Sequence, residues 1–297
     1  MRLPDFEAWS IFATVAQQGG FSRAAAALGM SKATVSKAIT RLEQQIGAPL
    51  FHRTSRRLAL SETGAKLLDH AQRILAEGEA AVEAARDEAS APSGLVRLAV
   101  PMSFGLRRAA PLIADFLTAN PAISVEMQLS DAQVDLIGEG FDLALRIAQL
   151  PDSSLRSRRL CDVRLLTVAS PLYLRRYGEP RHPAALGEHH CIVYAHSGGA
   201  VTWHYRHVDG GEAAVRPAGP VRMNNGDAML PALCAGLGIA QLPDFICNDD
   251  IRAGRLVSLL RDWSPPPLGL HLLSPPGTLR PRRVTALFDF LVERLAV

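Results

Sequence analysis

The chain has 297 residues, 48% hydrophobic and 21% charged, with a net charge of +3, a length that predicts two or three compact units, each with its own core. No apolar run reaches the roughly 18 residues that a membrane span needs, and the acidic, proline-bearing start Met1-Arg2-Leu3-Pro4-Asp5-Phe6-Glu7 does not read as a secretory leader, so a soluble protein kept in the cytoplasm is expected. Cys161, Cys191, Cys234 and Cys247 are far apart with no Cys-x-x-Cys pair, which argues against a disulfide framework and a structural zinc site.

The charge is unevenly placed. Residues 1–60 hold Arg2, Arg23, Lys32, Lys37, Arg41, Arg53, Arg56 and Arg57 against Asp5, Glu7 and Glu43, a net of +5, whereas residues 61–93 come to −4. The basic end is the natural candidate for meeting phosphates. Phe6, Trp9, Phe12, Val15 and Ala16 recur at helical spacing and predict an amphipathic helix over 6–18 that ends at Gly19-Gly20. A second helix follows, capped by Ser22, with Ala24, Ala25 and Leu28 inside and Gly29 at its exit. Ser31 can cap a third, in which Val35, Ile39, Leu42 and Ile46 make one narrow apolar stripe. The opposite face carries Ala33, Lys37, Thr40, Arg41 and Gln44, with Ser36 at its flank. It is small, polar and cationic, as a helix entering a major groove should be. After Gly47-Ala48-Pro49, residues 50–60 predict two short strands joined by a basic turn, a wing that carries Arg53, Arg56 and Arg57 toward phosphates or a minor groove. The plainer alternative is a three-helix bundle whose polar face is merely solvated.

The run Gly20-Phe21-Ser22-Arg23-Ala24-Ala25, Leu28, Ser31, Val35-Ser36-Lys37, Ile39, Arg41-Leu42-Glu43, Gly47, Leu50-Phe51, Arg53-Thr54, Leu58, Leu60-Ser61 and Thr63-Gly64 resembles the winged helix-turn-helix of the LysR-type transcriptional regulators. The resemblance implies base contacts for Ser31, Lys32, Ala33, Thr34 and Ser36, and a backbone or minor-groove contact for Arg53. Where many members have Gln-Pro this chain has Lys32-Ala33, and a lysine donates to guanine O6 and N7 instead of pairing bidentately with adenine. With the neighbours on the same faces, the candidate DNA-contacting set is Ser22, Arg23, Ser31, Lys32, Ala33, Thr34, Ser36, Lys37, Thr40, Arg41, Arg53, Arg56 and Arg57.

From residue 63 to 90, Leu67, Ala71, Ile74, Gly78, Ala81, Val82 and Ala85 trace a thin apolar edge along a charged helix. Pairing with a second copy would cover that edge and set two recognition helices on two half-sites; packing on its own C-terminal domain is the alternative. Ala91-Pro92-Ser93-Gly94 ends the helix as a hinge.

Strand-like and helix-like runs then alternate: 95–100, a helix over 105–119, 124–129, a helix from Asp131, and 143–147. A second set has 165–169, 191–194, 201–205, 221–223, a helix over 226–235, and 239–242. This predicts two α/β lobes with parallel strands. The pieces Pro101-Met102-Ser103-Phe104-Gly105, Ser130-Asp131, Asp142-Leu143-Ala144-Leu145-Arg146-Ile147, Ala169-Ser170-Pro171-Leu172-Tyr173-Leu174 and Gly236-Leu237-Gly238-Ile239-Ala240 resemble the same family's effector-binding domain, which looks like a periplasmic binding protein. The expected order is therefore a winged helix-turn-helix at 1–61, a linker and dimerisation helix at 62–90, and a two-lobed effector-binding domain at 91–297. Ligands of open α/β lobes sit beyond strand ends against helix N-termini, where free N–H groups favour anions. The candidate effector set is Met102, Ser103, Phe104, Ser130, Arg146, Asn224, Asn225 and Gly226. Ser130 with Gln133 also fits a capping box, Asp142 or Asp135 can neutralise Arg146, and Asn224-Asn225-Gly226 can be a plain turn and cap.

Enzyme signatures are missing: Ala195-His196-Ser197-Gly198-Gly199 lacks the first glycine of a nucleophile elbow, and Gly236-Leu237-Gly238 the third of a dinucleotide fingerprint. His204 and His207, three apart in a strand, face opposite sides and do not ligate one metal. The expectation is a regulator without cofactor whose partners are double-stranded DNA carrying an interrupted inverted repeat, a small effector of anionic type, a second copy of itself as dimer or tetramer, RNA polymerase as a further candidate, and no membrane. The alternative is a cysteine-based redox regulator, with Cys161 among Arg158, Arg159 and Arg164 as its thiol.

Overall fold

The computed structural model describes residues 4–53, 58–85, 91–132, 134–148, 156–194, 201–276 and 280–296. The expectations for Arg56, Arg57, Gln133 and the 195–199 segment lie outside these residues, as does the side chain of Arg53. The chain opens with α1 (Phe6–Gln18), α2 (Phe21–Leu28) and α3 (Lys32–Ile46). Each ends on a glycine in the left-handed region, Gly19, Gly29 and Gly47, a conformation that other side chains strain. The α1 core face is Ala8, Ile11, Phe12 and Val15, rotated from the expected stripe, so that Phe6 is 54% exposed and Trp9 and Ala16 are half-buried. Ser22 does not cap α2. The Gly20 carbonyl accepts the Ala24 N–H at 3.0 Å, so the first turn closes before Ser22 and leaves it exposed inside the helix.

Strands β1 (Phe51–Arg53) and β2 (Leu58–Leu60) pair antiparallel, Phe51 opposite Leu60. Phe51 seals the unit from below, its ring 5.3 Å from Phe12 and 5.8 Å from Phe21. Helix α4 (Glu62–Ala85) follows. Leu68 and Ala71 are buried in the N-terminal core against α1, so the first half of α4 belongs physically to the three-helix unit. Gly64 makes this seat possible: a Cβ there would lie 2.1 Å from the Leu50 carbonyl oxygen.

The remainder forms two lobes. The first holds β3 (Gly94–Val100), a continuous helical run made of α5 (Met102–Phe104), a π turn (Gly105–Ala109) and α6 (Ala110–Ala119), then β4 (Ile123–Leu129) and β5 (Leu143–Ala148). The chain crosses through β6 (Arg156–Val163) to the second lobe: β7 (Leu165–Ala169), α7 (Pro171–Tyr177), a 3₁₀ turn (Pro183–Glu188), β8 (Ile192–Tyr194), β9 (Trp203–His207), β10 (Glu212–Val215), β11 (Val221–Met223), α8 (Gly226–Cys234), β12 (Ile239–Pro243), α9 (Asp244–Arg252), β13 (Val257–Leu259) and β14 (Trp263–Ser264). It returns through β15 (Leu268–Ser274) and ends in α10 (Arg282–Leu295), whose Val284, Leu287 and Leu291 bury against the first sheet.

Two expectations change here. The first-lobe sheet, in order β4-β3-β5-β15-β6, is mixed and not parallel: β3 runs parallel to β4 and β5, but β15 is antiparallel to β5 and β6, and in the second lobe β12 and β13 are antiparallel to β7. A strand re-entering its lobe from the other one runs opposite to those made by local βα crossovers, and local alternation does not encode it. No helix follows Ser130 among the described residues. Asp131 is drawn back onto Met102, Asp135 accepts the Gly138 N–H at 3.0 Å, and Glu139 accepts the Asp135 N–H at 3.0 Å. Asp135 and Glu139 thus satisfy local backbone N–H groups in a turn, and Asp131 serves one from another element.

Candidate DNA-reading face and interlobe site

Helix α3 is set by one buried stripe, Val35, Ala38, Ile39 and Leu42, and this fixes its opposite side toward solvent. Ser31, Lys32, Ala33, Thr34, Lys37, Thr40, Arg41 and Gln44 are exposed, and Ser36 is half-buried at the flank. The Ser31 hydroxyl caps the helix, accepting the Thr34 N–H at 3.1 Å, and lies 2.8 Å from the Thr34 hydroxyl. Thr40 turns its hydroxyl back onto the Ser36 carbonyl at 3.0 Å.

Two cations of the candidate set are engaged by the protein. Arg41 Nε donates to Asp5 at 2.6 Å, and Arg23 donates to the Gly19 carbonyl at 2.9 Å. The Asp5 carboxyl is held below its ordinary pKa, first by the Ala8 N–H and then by Arg41. One carboxylate thus caps α1 and ties it to α3. Glu43 does a similar task for the wing. Its carboxylate accepts the Leu50 N–H at 2.8 Å and the Phe51 N–H at 3.4 Å, joining α3 to the start of β1. Arg53 ends β1 opposite Leu58.

The second assembly lies where the lobes meet. Ser103 is 5% exposed, and its hydroxyl accepts from Asn225 Nδ2 at 3.3 Å. The same amide nitrogen donates to Asp131 Oδ2 at 3.0 Å, while Asn225 Oδ1 caps α8 by accepting the Ala228 N–H at 3.0 Å. Asp131 Oδ1 accepts the Met102 N–H at 3.0 Å. Alongside, Arg107 donates twice to Asp227 Oδ1, from Nε at 2.8 Å and from Nη2 at 2.6 Å, and the rings of Phe104 and Phe245 meet edge to face at 5.5 Å. Met102 is exposed, Phe104 and Gly226 are buried, and Asn224 is exposed just before the cap.

Ser130, at the end of β4, accepts the Ala132 N–H at 3.1 Å, a local turn bond instead of a helix cap. Arg146 is neutralised by neither Asp142 nor Asp135: it donates to the Val134 carbonyl at 2.7 Å and forms no ion pair among the described residues, while burial pushes its pKa down. Asp142 accepts the Arg97 N–H at 2.8 Å.

Residues 6–65 match the pattern described as "Bacterial regulatory helix-turn-helix protein, lysR family", and residues 89–296 match the "LysR substrate binding domain". The chain belongs to the LysR family of transcriptional regulators. It is a DNA-binding regulator with an effector-binding domain. Among its relatives, an HTH-type transcriptional regulator of Xanthomonas campestris pv. campestris is 37% identical over 288 residues, covering 96% of this chain and 84% of that one. The HTH-type transcriptional regulator CrgA of Neisseria meningitidis is 34% identical over 293 residues, covering 97% and 96%. The solved structure of CrgA, a LysR-type regulator, superposes with a TM-score of 0.62 at 32% identity over the full length of both chains.

In this LysR-type regulator the surroundings of Cys161 are not those of an activated thiol. Arg159 is paired with Asp162 and Arg164 with Asp244. Burial first, then Asp162 and Asp244, push the Cys161 pKa up. Burial likewise raises Cys191 to about 11 and Cys247 to about 12. No helix among the described residues is long and apolar enough to cross a membrane. Sequence reasoning missed five residues: Asp131 as a bridging group, Arg107 and Asp227 as a pair, Asp5 as the partner of Arg41, and Tyr194, whose phenol burial and the Asp131 charge hold above its ordinary range. Asp131 stood in a quoted motif, but Arg107 and Asp227 are separated by most of two lobes and carried no local signal.

Proposed function

We propose that this regulator binds an interrupted inverted repeat as a homodimer or a tetramer built from two dimers. Residues 1–61 form the DNA-binding unit, 62–90 the linker and pairing helix, and 91–297 the effector domain. Ser22, Arg23, Ser31, Lys32, Ala33, Thr34, Ser36, Lys37, Thr40 and Arg41 are assigned to the recognition face. Arg53, Arg56 and Arg57 take the flanking phosphates or minor groove. A small molecule meets Met102, Ser103, Phe104, Ser130, Arg146, Asn224, Asn225 and Gly226 between the lobes and shifts the population of DNA-bound geometries. Arg146, paired with a single carbonyl, supports an acidic group on that molecule. The protein acts in the cytoplasm, performs no catalysis of its own, and offers RNA polymerase a surface at its promoters.

The observation that carries this reading is the α3 face: Ala33, Lys37, Thr40, Arg41 and Gln44, exposed and small, polar or cationic, opposite a fully buried stripe. Fluorescence anisotropy against the chain's own upstream DNA and a scrambled duplex, each at two salt concentrations, tests it. Tighter binding to the upstream DNA that weakens with salt is expected; equal affinity for both duplexes, with and without cell-extract metabolites, overturns sequence-specific reading.

A further inference from the structure

The donors at the meeting point of the lobes converge on one acceptor. The Met102 N–H opens the helical run over 102–119 in the first lobe, and Asn225 Nδ2 belongs to the cap of α8 in the second. Both end on Asp131, at 3.0 Å each. Asn225 has no freedom to present its oxygen instead, because Oδ1 already accepts the Ala228 N–H at 3.0 Å. Its amide nitrogen also reaches the hydroxyl of Ser103, which is 5% exposed. A helix N-terminus and a fixed amide together make a place where a carboxylate is favoured, and here the chain supplies that carboxylate itself. Arg107 and Asp227 repeat the connection one turn further along, with the opposite assignment of charge to lobe.

We propose that Asp131 is a tethered anion that latches the two lobes. Resting on the cleft reading above, it follows that the effector group meeting this point is a hydrogen-bond donor, a hydroxyl, amide or ammonium, and not a carboxylate. A ligand carboxylate would find the Met102 and Asn225 donors taken and the Asp131 charge facing it. A donor finds unused lone pairs, because an ionised carboxylate has about four acceptor sites and the described residues fill one on each oxygen. Any acidic group of the effector is then left to Arg146, on a different strand end. A donor seated on those lone pairs draws on the same carboxylate charge that holds Asn225, weakens that bond and so changes the angle between the lobes, which gives the binding event a mechanical consequence.

The test is chemical rescue on the full-length protein. Wild type, D131A and D131N are melted in sodium acetate and in sodium chloride at matched ionic strength. D131A should melt about 2–4 °C below wild type, and acetate on the order of 10 mM or above should restore at least half of that loss by entering the emptied place. Wild type and D131N should respond no more to acetate than to chloride. D131N should also melt below wild type, since its amide sets an N–H against the fixed N–H of Asn225 or gives up Met102. An acetate-indifferent, folded D131A, a wild type that gains as much from acetate as D131A does, or a D131N that melts with wild type overturns the proposal. If D131A does not fold, the D131N melt decides. Failure of the cleft reading is distinct: acetate would still rescue D131A while operator affinity ignored every small molecule offered.

Discussion

Replacing Arg107 tests whether the lobes are held by side-chain chemistry or only by the two crossing strands. Both donors of Arg107 fall on a single oxygen of Asp227, at 2.8 and 2.6 Å, with the two side chains 28% and 29% exposed. The other oxygen, Oδ2, is buried without a hydrogen-bond partner among the described residues. Arg107→Ala therefore leaves a carboxylate with neither oxygen bonded, and a charge-assisted contact of this kind, reduced for partial exposure, is worth about 2 kcal/mol. Asp227→Ala removes the carboxylate and leaves Arg107 near Asp249, 3.7 Å away, so its cost should be smaller, about 1 kcal/mol. The double variant should cost less than the sum by about 1 kcal/mol, because the second substitution removes the group that the first left unpaired. For a domain of this size each kcal/mol moves the melting temperature by about 2–4 °C, so Arg107→Ala should fall by roughly 4–8 °C. Urea denaturation of wild type, both singles and the double completes the cycle. A coupling below about 0.5 kcal/mol, within the additivity expected of distant sites, would refute the idea that this pair ties the lobes.

Gly64→Ala should destabilise by about 1–3 kcal/mol, because its Cβ would lie 2.1 Å from the Leu50 carbonyl oxygen and backbone must move; a wild-type melt and operator affinity would show that α4 seats elsewhere. Ser31→Ala should cost about 1 kcal/mol through the lost cap on Thr34, read by thermal denaturation, and an unchanged melt would remove that role. Arg53→Ala should weaken binding to all sequences and flatten the salt dependence, whereas Lys32→Ala should mainly alter sequence preference; equal losses on specific and random duplexes in both variants would sink this division of labour. With Cys161 the sole cysteine left, alkylation by iodoacetamide at pH 8 should run slower than that of a free thiol, since its pKa is raised and the thiolate scarce. A faster reaction would reopen the redox reading.

The N-terminal unit was legible because its signals are local. Helix periodicity, three glycines at helix exits and the serine cap of α3 all act within a few residues, and the helices end on those glycines. The phase of α1 was not legible, since the choice between Phe6 and Ile11 as a core residue depends on where α4 lies across it. The strand positions of the first lobe were also visible in apolar runs, but the direction of β15 was not, because it pairs with β5 and β6 after an excursion through the whole second lobe. Asp131 looked like a helix start. Its carboxylate bonds Met102 and Asn225 instead, and partners that far along the chain leave no pattern in a window of neighbouring residues.

The two candidate sites differ in what holds their residues, and this governs how each can change. Lys32, Ala33, Lys37 and Gln44 are exposed on α3, and the orientation of that face comes from Val35, Ile39 and Leu42 behind it and from Asp5 on Arg41. Substitutions on the face can alter which base edges are met at little cost in stability, because exposed positions usually shift it by less than about 0.5 kcal/mol. At the lobe junction Ser103, Asp131, Asn225, Arg107 and Asp227 are each other's partners. A change there removes a bond between lobes along with any contact to a ligand. Specificity for DNA can therefore drift residue by residue, whereas specificity for an effector must change together with the balance between lobe arrangements. Variants at the junction should consequently move melting temperature and effector response in concert, while variants of Lys32, Ala33, Lys37 and Gln44, which carry neither the α3 cap nor the Asp5 contact, move operator preference alone.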